Sequence, residues 1–217
     1  MKLVWSPESA LQAYIDTVKS CEKFKETGVP ELLSAMAAGW NTKFIVESWS
    51  YGGPIAASVG LAVAARNTGA RHVCIVPDER SRAQYIKALA EPVVVVGEAE
   101  VAVSQLAGLD FLVVDCKRKE FARVLRVAKV GPKGAVLACK NAWQRNFCGG
   151  FRWSVVLQKG VRVVRSVFLP VGKGLDIAYI GSSRSGAAAT ASKGPRRWIK
   201  HIDQQSGEEH LFRKPSH

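Results

Sequence analysis

Phe44-Ile45-Val46-Glu47-Ser48-Trp49-Ser50-Tyr51-Gly52-Gly53-Pro54 is the stretch that decides the fold. Phe44 to Ser48 reads as a strand, Trp49 to Gly53 as a glycine turn, and Pro54 to Arg66 as an alanine-rich helix with Pro54 at its first position. Four β-branched runs follow at His72–Val76, Val93–Val96, Phe111–Asp115 and Ala135–Cys139. Most are apolar throughout instead of alternating, so both faces of their sheet should be covered. Helical patterns at Arg80–Ala90, Ala99–Ala107 and Glu120–Lys129 fill the intervals as crossovers, which makes the pairing parallel. Two last strands, Val161–Leu169 and Leu175–Ile180, flank Pro170-Val171-Gly172-Lys173-Gly174 and predict an antiparallel hairpin at the sheet edge.

Upstream, Ser6-Pro7-Glu8 caps and opens an amphipathic helix in which Leu11, Tyr14, Ile15, Val18 and Cys21 recur at helical spacing, ending near Thr27-Gly28. Pro30 opens a second helix through Leu32, Leu33, Met36 and Ala37, closed by Gly39 as a left-handed cap. Both are expected to pack on the sheet, with a lid or dimer element as the alternative. Asn141 to Gly150 reads as irregular. Residues 182–195 are Ser, Gly, Ala, Thr and basic residues closed by Pro195, too poor in apolar surface to fold, and read as a flexible linker. Residues 196–217 form a basic tail with Trp198, Ile199, Ile202, Leu211 and Phe212 as apolar anchors, expected to dock on the chain's own sheet or on a partner, with nuclear import or nucleic-acid contact as the alternative. The expected organisation is an α/β domain over residues 1–181, then linker, then tail.

The 217 residues carry 31 Lys and Arg against 18 Asp and Glu, a net charge of +13. Residues 1–109 hold 10 basic against 11 acidic residues, and residues 110–217 hold 21 against 7. The carboxyl half therefore faces anions, either a small molecule or, weakly, nucleic acid. Cys21, Cys74, Cys116, Cys139 and Cys148 contain no CxxC pair and suit thiols in a reducing compartment. No secretory pattern opens the chain and no apolar run approaches the ~18 residues of a membrane span, so an intracellular protein of cytoplasm or nucleus, without membrane partners, is expected.

Ligands of parallel α/β sheets bind outside the carboxyl ends of the strands. That gathers Glu47–Gly53, Pro77–Arg80, Asp115–Arg118 and Lys140–Trp143 on one rim. Gly52-Gly53-Pro54 lacks the Gly-Lys-Ser/Thr of a phosphate-binding loop, and no serine sits in a Gly-x-Ser-x-Gly elbow. His72 starts a strand and His201, His210 and His217 lie in the tail, so no histidine joins the rim.

The ordered pieces between Glu31 and Ile180 carry a resemblance. A leader helix, the Glu47 strand and turn, Gly108-Leu109-Asp110-Phe111-Leu112-Val113-Val114-Asp115, Val130-Gly131-Pro132-Lys133-Gly134-Ala135 and Phe168-Leu169-Pro170-Val171-Gly172-Lys173-Gly174-Leu175 resemble class I S-adenosylmethionine-dependent methyltransferases. Within these, the chain is most similar to small-molecule O-methyltransferases of the catechol and caffeoyl-coenzyme A type. More narrowly, it is identified as a member of a plant-specific family, domain-of-unknown-function family 1442. The resemblance implies a three-layer, Rossmann-like α/β sandwich with a seven-stranded, mostly parallel sheet and a C-terminal antiparallel hairpin.

It also implies S-adenosylmethionine as cofactor, held across Glu47, Ser48, Gly52, Gly53, Asp78 and Asp115. Glu47 and Gly53 match the family's Glu-x-Gly-x-x-x-Gly, with Trp49 at its first glycine, and Asp78 follows the Pro77 that replaces the ribose-binding acid. Asp115 and Asn141 match two members of the family's divalent-metal set, but Lys140 stands where its second Asp belongs and Arg118 where its basic Lys belongs. An ammonium in place of a carboxylate removes oxygen ligands and adds like charge, and Arg118 keeps its proton. No metal is therefore expected. Lys140 is expected to pair with Asp115 in the metal's place, and Asp115, Lys140 and Asn141 are the candidate catalytic residues. The expected activity is metal-independent methyl transfer to an anionic acceptor drawn by Lys117, Arg118, Lys140 and Arg145. The alternatives are a catalytically degenerate relative that binds a ligand or a protein, and weak nucleic-acid binding.

Overall fold

The apolar runs pair as their patterning requires. In the computed structural model, which describes residues 4–26, 28–89, 92–144 and 151–182 and the backbone of 198–202 and 209–213, seven strands form one sheet. β1 (Phe44–Ser48), β2 (Arg71–Val76) and β3 (Val93–Val96) run parallel, as do β1, β5 (Phe111–Asp115) and β7 (Ala135–Lys140) on the other side. β9 (Leu175–Ile180) is antiparallel to both β7 and β8 (Val163–Leu169). The spatial order is β3-β2-β1-β5-β7-β9-β8. A short parallel pair absent from the sequence reading, β4 (Ala107–Leu109) with β6 (Lys129–Val130), ends the preceding helices early by drawing Ala107 and Lys129 into strands.

Alternation along β1 sorts the two faces. Ile45 packs with Leu33, Ala57 and Leu61 under α1 (Pro7–Cys21), α2 (Val29–Gly39) and α3 (Ala56–Thr68). Val46 packs with Val103, Val124 and Trp153 under α5 (Ala99–Gln105), α6 (Phe121–Val127) and α7 (Trp153–Val156). On the first face α4 (Glu79–Ala88) sets Tyr85 against Trp49, Cys74 and Val76. Asp110 ties the strand starts together by accepting the N–H groups of Lys43 and Phe44, each at 2.8 Å.

Three expectations about helices are corrected. α3 starts at Ala56, because the Pro54 carbonyl accepts the Trp49 indole N–H at 3.2 Å and the chain becomes helical only after it. Gly39 is the last residue of α2, and Asn41 at φ 49° takes the left-handed conformation instead. Gly39 is small for another reason, since a Cβ there would stand 2.4 Å from the Trp5 ring. α1, capped by Ser6 as expected, ends at Cys21 and turns Leu11, Tyr14, Ile15 and Val18 outward. It packs through Ala10, Ala13, Thr17 and Cys21, whose small side chains allow close approach to α2 and α3.

The chain divides into two units, residues 1–183 and 184–217. In the second, β10 (Trp198–Ile202) and β11 (Glu209–Arg213) form an antiparallel pair where the sequence reading placed only a docking tail. Apart from Ser182, the expected linker lies outside the described residues, as do Arg145 and Cys148. No helix of the described residues is long and apolar enough to cross a membrane.

Candidate functional site

The strand order makes β1 the point from which the chain builds outward to β2 and β3 and then returns to β5 on the other side. A crevice opens at such a switch point, at the carboxyl ends of the strands. Here it is a cavity of about 70 Å3 that brings Ser48, Gly53, Asp115 and Lys140 together, with Trp49, Pro77 and Arg118 also in its wall. Gly97, Glu98 and Ala99 at the end of β3 complete it. They were missed in the sequence, although Gly97 after four valines, followed by an acid at a helix start, is the signal of a strand end.

Glu47 does not line the cavity. Fully buried, it accepts the Ser58 hydroxyl at 2.9 Å and the Tyr85 hydroxyl at 2.6 Å, with His72 Nε2 3.1 Å from Oε1. Burial by itself would push this carboxyl up. The hydrogen bond and charge of His72, with Lys140 and Tyr85, outweigh it and hold the group below the usual range. The Tyr85 phenol is pushed far up, first by burial and then by the charge of Glu47. Glu47 thus fastens β1 to α3, β2 and α4.

Trp49 continues the face of Glu47. Its indole, 5% exposed, meets Tyr85 edge-on with ring centroids 5.5 Å apart. The amides of the glycine turn are engaged within the fold. Trp49 N–H donates to Ile75 O and Gly53 N–H to Ser50 O, while α4 takes Tyr51 N–H on Ser81 Oγ and Gly52 N–H on Gln84 Oε1. Gly52 holds φ +73° in open space, whereas a Cβ on Gly53 would stand 2.9 Å from Ser50 O. Asp78 caps α4, accepting Ser81 N–H at 2.7 Å, a bond that lowers its pKa, and leaves the cavity wall to Pro77.

Asp115 and Lys140 are register partners on adjacent strands, yet the expected ion pair between them does not form. Asp115 Oδ1 instead accepts Asn141 Nδ2 at 2.8 Å and Lys117 N–H at 2.9 Å. Asn141 reaches it from a left-handed backbone, φ 57°. Among the described residues no carboxylate lies within ion-pairing distance of the Lys140 ammonium, although the residue is only 4% exposed. Arg118 pairs with Glu120 at 2.9 Å in the wall of the cavity.

Glu26, on the loop between α1 and α2, was missed in the sequence. Its Oε2 is buried without a hydrogen-bond partner. Burial pushes its pKa up, the charge of Lys140 opposes that, and Asp115 adds to the rise. Nothing local marks it, because Lys23-Phe24-Lys25-Glu26 falls in the last turns of the helix expected to reach Thr27-Gly28, where one more acid among lysines reads as solvated. A divalent cation does not fit these residues: Asp115 and Asn141 bond each other, an ammonium stands beside them, and no group of three His, Cys, Asp or Glu among the described residues could hold one.

Comparison with solved structures places the fold. The SAH-bound methyltransferase PaMTH1 of Podospora anserina superposes with a TM-score of 0.56 at 15% identity, covering 82% of this chain and 89% of that one. A methyltransferase of Geobacter sulfurreducens gives 0.52 at 20% identity over 80% and 89%, and the SAH-bound O-methyltransferase of Bacillus cereus gives 0.51 at 14% over 82% and 93%. At these identities the likeness shows the fold, the Rossmann-like architecture of class I S-adenosylmethionine-dependent methyltransferases. No curated protein matches the chain. Residues 1–214 match the family described as "Protein of unknown function (DUF1442)", and with nearly its whole length inside that match the chain belongs to this family.

Proposed function

We propose that this chain is an S-adenosylmethionine-dependent methyltransferase that acts without a metal on an anionic acceptor. The observation that supports it is the cleft at the switch point, which gathers the oxygen acceptors Ser48, Glu98 and Asp115 and includes Lys140, a buried cation with no ion-pair partner among the described residues. Glu98 suits the ribose hydroxyls in place of Asp78, which is committed to capping α4. The cofactor, when bound, supplies an electrophilic methyl group. Lys140 suits an anionic oxygen of the acceptor, Glu26 suits removal of its proton, and Lys117 and Arg118 draw the anion to the rim. The tail of residues 196–217 serves a protein partner in this reading.

About 70 Å3 is far below the ~300–1,000 Å3 of ligand pockets, so binding requires the Arg118–Glu120 pair or the Trp49 indole to move. That same observation favours a second reading, a catalytically degenerate relative that binds a ligand or a protein. Isothermal titration with S-adenosylmethionine and S-adenosylhomocysteine tests the cofactor binding that the first reading requires. Binding by the unmodified chain, tightened several-fold in Arg118→Ala, is expected, and ligand at a hundred times Kd should add ~2.7 kcal/mol of stability. Absence of heat in the unmodified chain, Arg118→Ala and Trp49→Ala alike removes the enzyme reading.

A further inference from the structure

The second unit, residues 184–217, has little to hold it together. β10 and β11 form a two-stranded sheet, and among the described residues the unit holds no third strand and no helix. A two-stranded pair by itself is marginal in water, and units of fewer than ~40 residues usually rely on disulfides, a metal or self-association. A disulfide within the unit is excluded, because the last cysteine of the chain is Cys148. Histidine is instead concentrated there: of the chain's 4 histidines, His201, His210 and His217 fall in it.

The strand register brings two of the three together, with His201 the direct partner of His210. Alternation along an antiparallel pair puts Ile199 and Phe212 on the face of these two histidines and Lys200 and Arg213 on the opposite face. The histidine face of the two strands therefore carries no fixed charge. Directly opposite residues have Cβ atoms ~4.5–5.5 Å apart, a span that two imidazoles can close on one ion with bonds of ~2.0–2.1 Å. Without an ion the pairing has no electrostatic advantage: neutral imidazoles gain nothing from charge, and protonated ones repel across the strands.

We propose that the register pair His201 and His210 is a site for a divalent transition metal that staples β10 to β11. Imidazole nitrogen suits borderline ions such as zinc, whereas magnesium and calcium take oxygen ligands. Water fills the coordination positions that two histidines leave. Because the ion binds the paired strands better than the unpaired chain, it shifts β10 and β11 toward the paired state. The site is independent of the methyl-transfer reading and of the rim, where Asp115 and Asn141 bond each other.

Isothermal titration of the full chain with zinc chloride, together with amide hydrogen exchange over residues 198–202 and 209–213, tests it. Zinc should bind and slow exchange in both strands, and magnesium should do neither. His201→Ala and His210→Ala should each weaken zinc binding by at least about ten-fold, the cost of losing even a residue that only supports a metal ligand, and should abolish the protection. His217→Ala should leave both unchanged. The decisive variant exchanges neighbours: Lys200→His with His201→Lys keeps the composition but moves the histidine to the opposite face, and it should bind no better than His201→Ala. Absence of zinc binding overturns the inference. So does binding indifferent to the exchanged pair, which would need only a histidine-rich tail. Protection of the two strands that is equal with and without zinc also overturns it, because packing would then be what holds them.

Discussion

Glu47→Gln keeps the shape of a fully buried carboxylate and removes its charge. The amide oxygen still accepts from Tyr85 and the amide N–H can donate to Ser58 Oγ, so no cavity opens. What disappears is the ionic share of the bonds to Tyr85, Ser58 and His72. Hydrogen bonds to charged groups contribute about 1.5–3 kcal/mol against about 1 kcal/mol for neutral ones, and relief from burying a charge offsets part of the loss. A net destabilisation of about 2 kcal/mol at neutral pH is expected, or about 4–8 °C in Tm for a domain of this size. The folded carboxyl sits below its ordinary value of 4.5, so its contribution is complete above that pH and is lost as pH falls through the folded pKa. The amide does not titrate. Thermal unfolding followed by circular dichroism at neutral pH and in steps below about pH 4.5 should therefore show a gap between the two proteins that closes in acid. An equal Tm at neutral pH, or a gap constant across pH, would refute the reasoning and mean that Glu47 is protonated in the fold.

Gly39→Ala should cost about 1–3 kcal/mol, seen as a lower Tm, because the new Cβ falls 2.4 Å from the Trp5 ring and the indole must be displaced. Magnesium or calcium should leave the Tm of the unmodified chain unchanged, and Lys140→Asp with Arg118→Lys should create a metal-dependent rise; a rise in the unmodified chain would show the account of the site to be wrong. Nucleic acid should bind weakly, with a log-log salt slope near −0.9 per phosphate contact, and neutralising Arg196, Arg197 and Lys200 should remove most of it. Salt-resistant, sequence-selective binding by that variant would instead make nucleic-acid recognition the leading function.

Strand identities were legible in the chain because a strand buried on both faces must be apolar throughout: Phe44–Ser48, Phe111–Asp115 and Leu175–Ile180 stand where the pattern puts them, and the edge strand Val93–Val96, half exposed, was legible from its four β-branched residues. From those ends the rim followed, and Ser48, Gly53, Asp115 and Lys140 do meet in one cavity. Partnership was not legible, because a side chain's partners come from elements remote in sequence. Glu47 is occupied by Ser58, His72 and Tyr85, Asp115 by Asn141 in place of Lys140, and the turn amides by Ser81 and Gln84. Glu26 enters the account only because the fold brings it within electrostatic reach of Lys140 and Asp115. The same distinction holds in α1, where spacing alone marks an amphipathic helix. Which side faces inward was decided by packing: Ala10 and Ala13 fit the close approach to α2 and α3, and that leaves Leu11, Tyr14, Ile15 and Val18 to the outside.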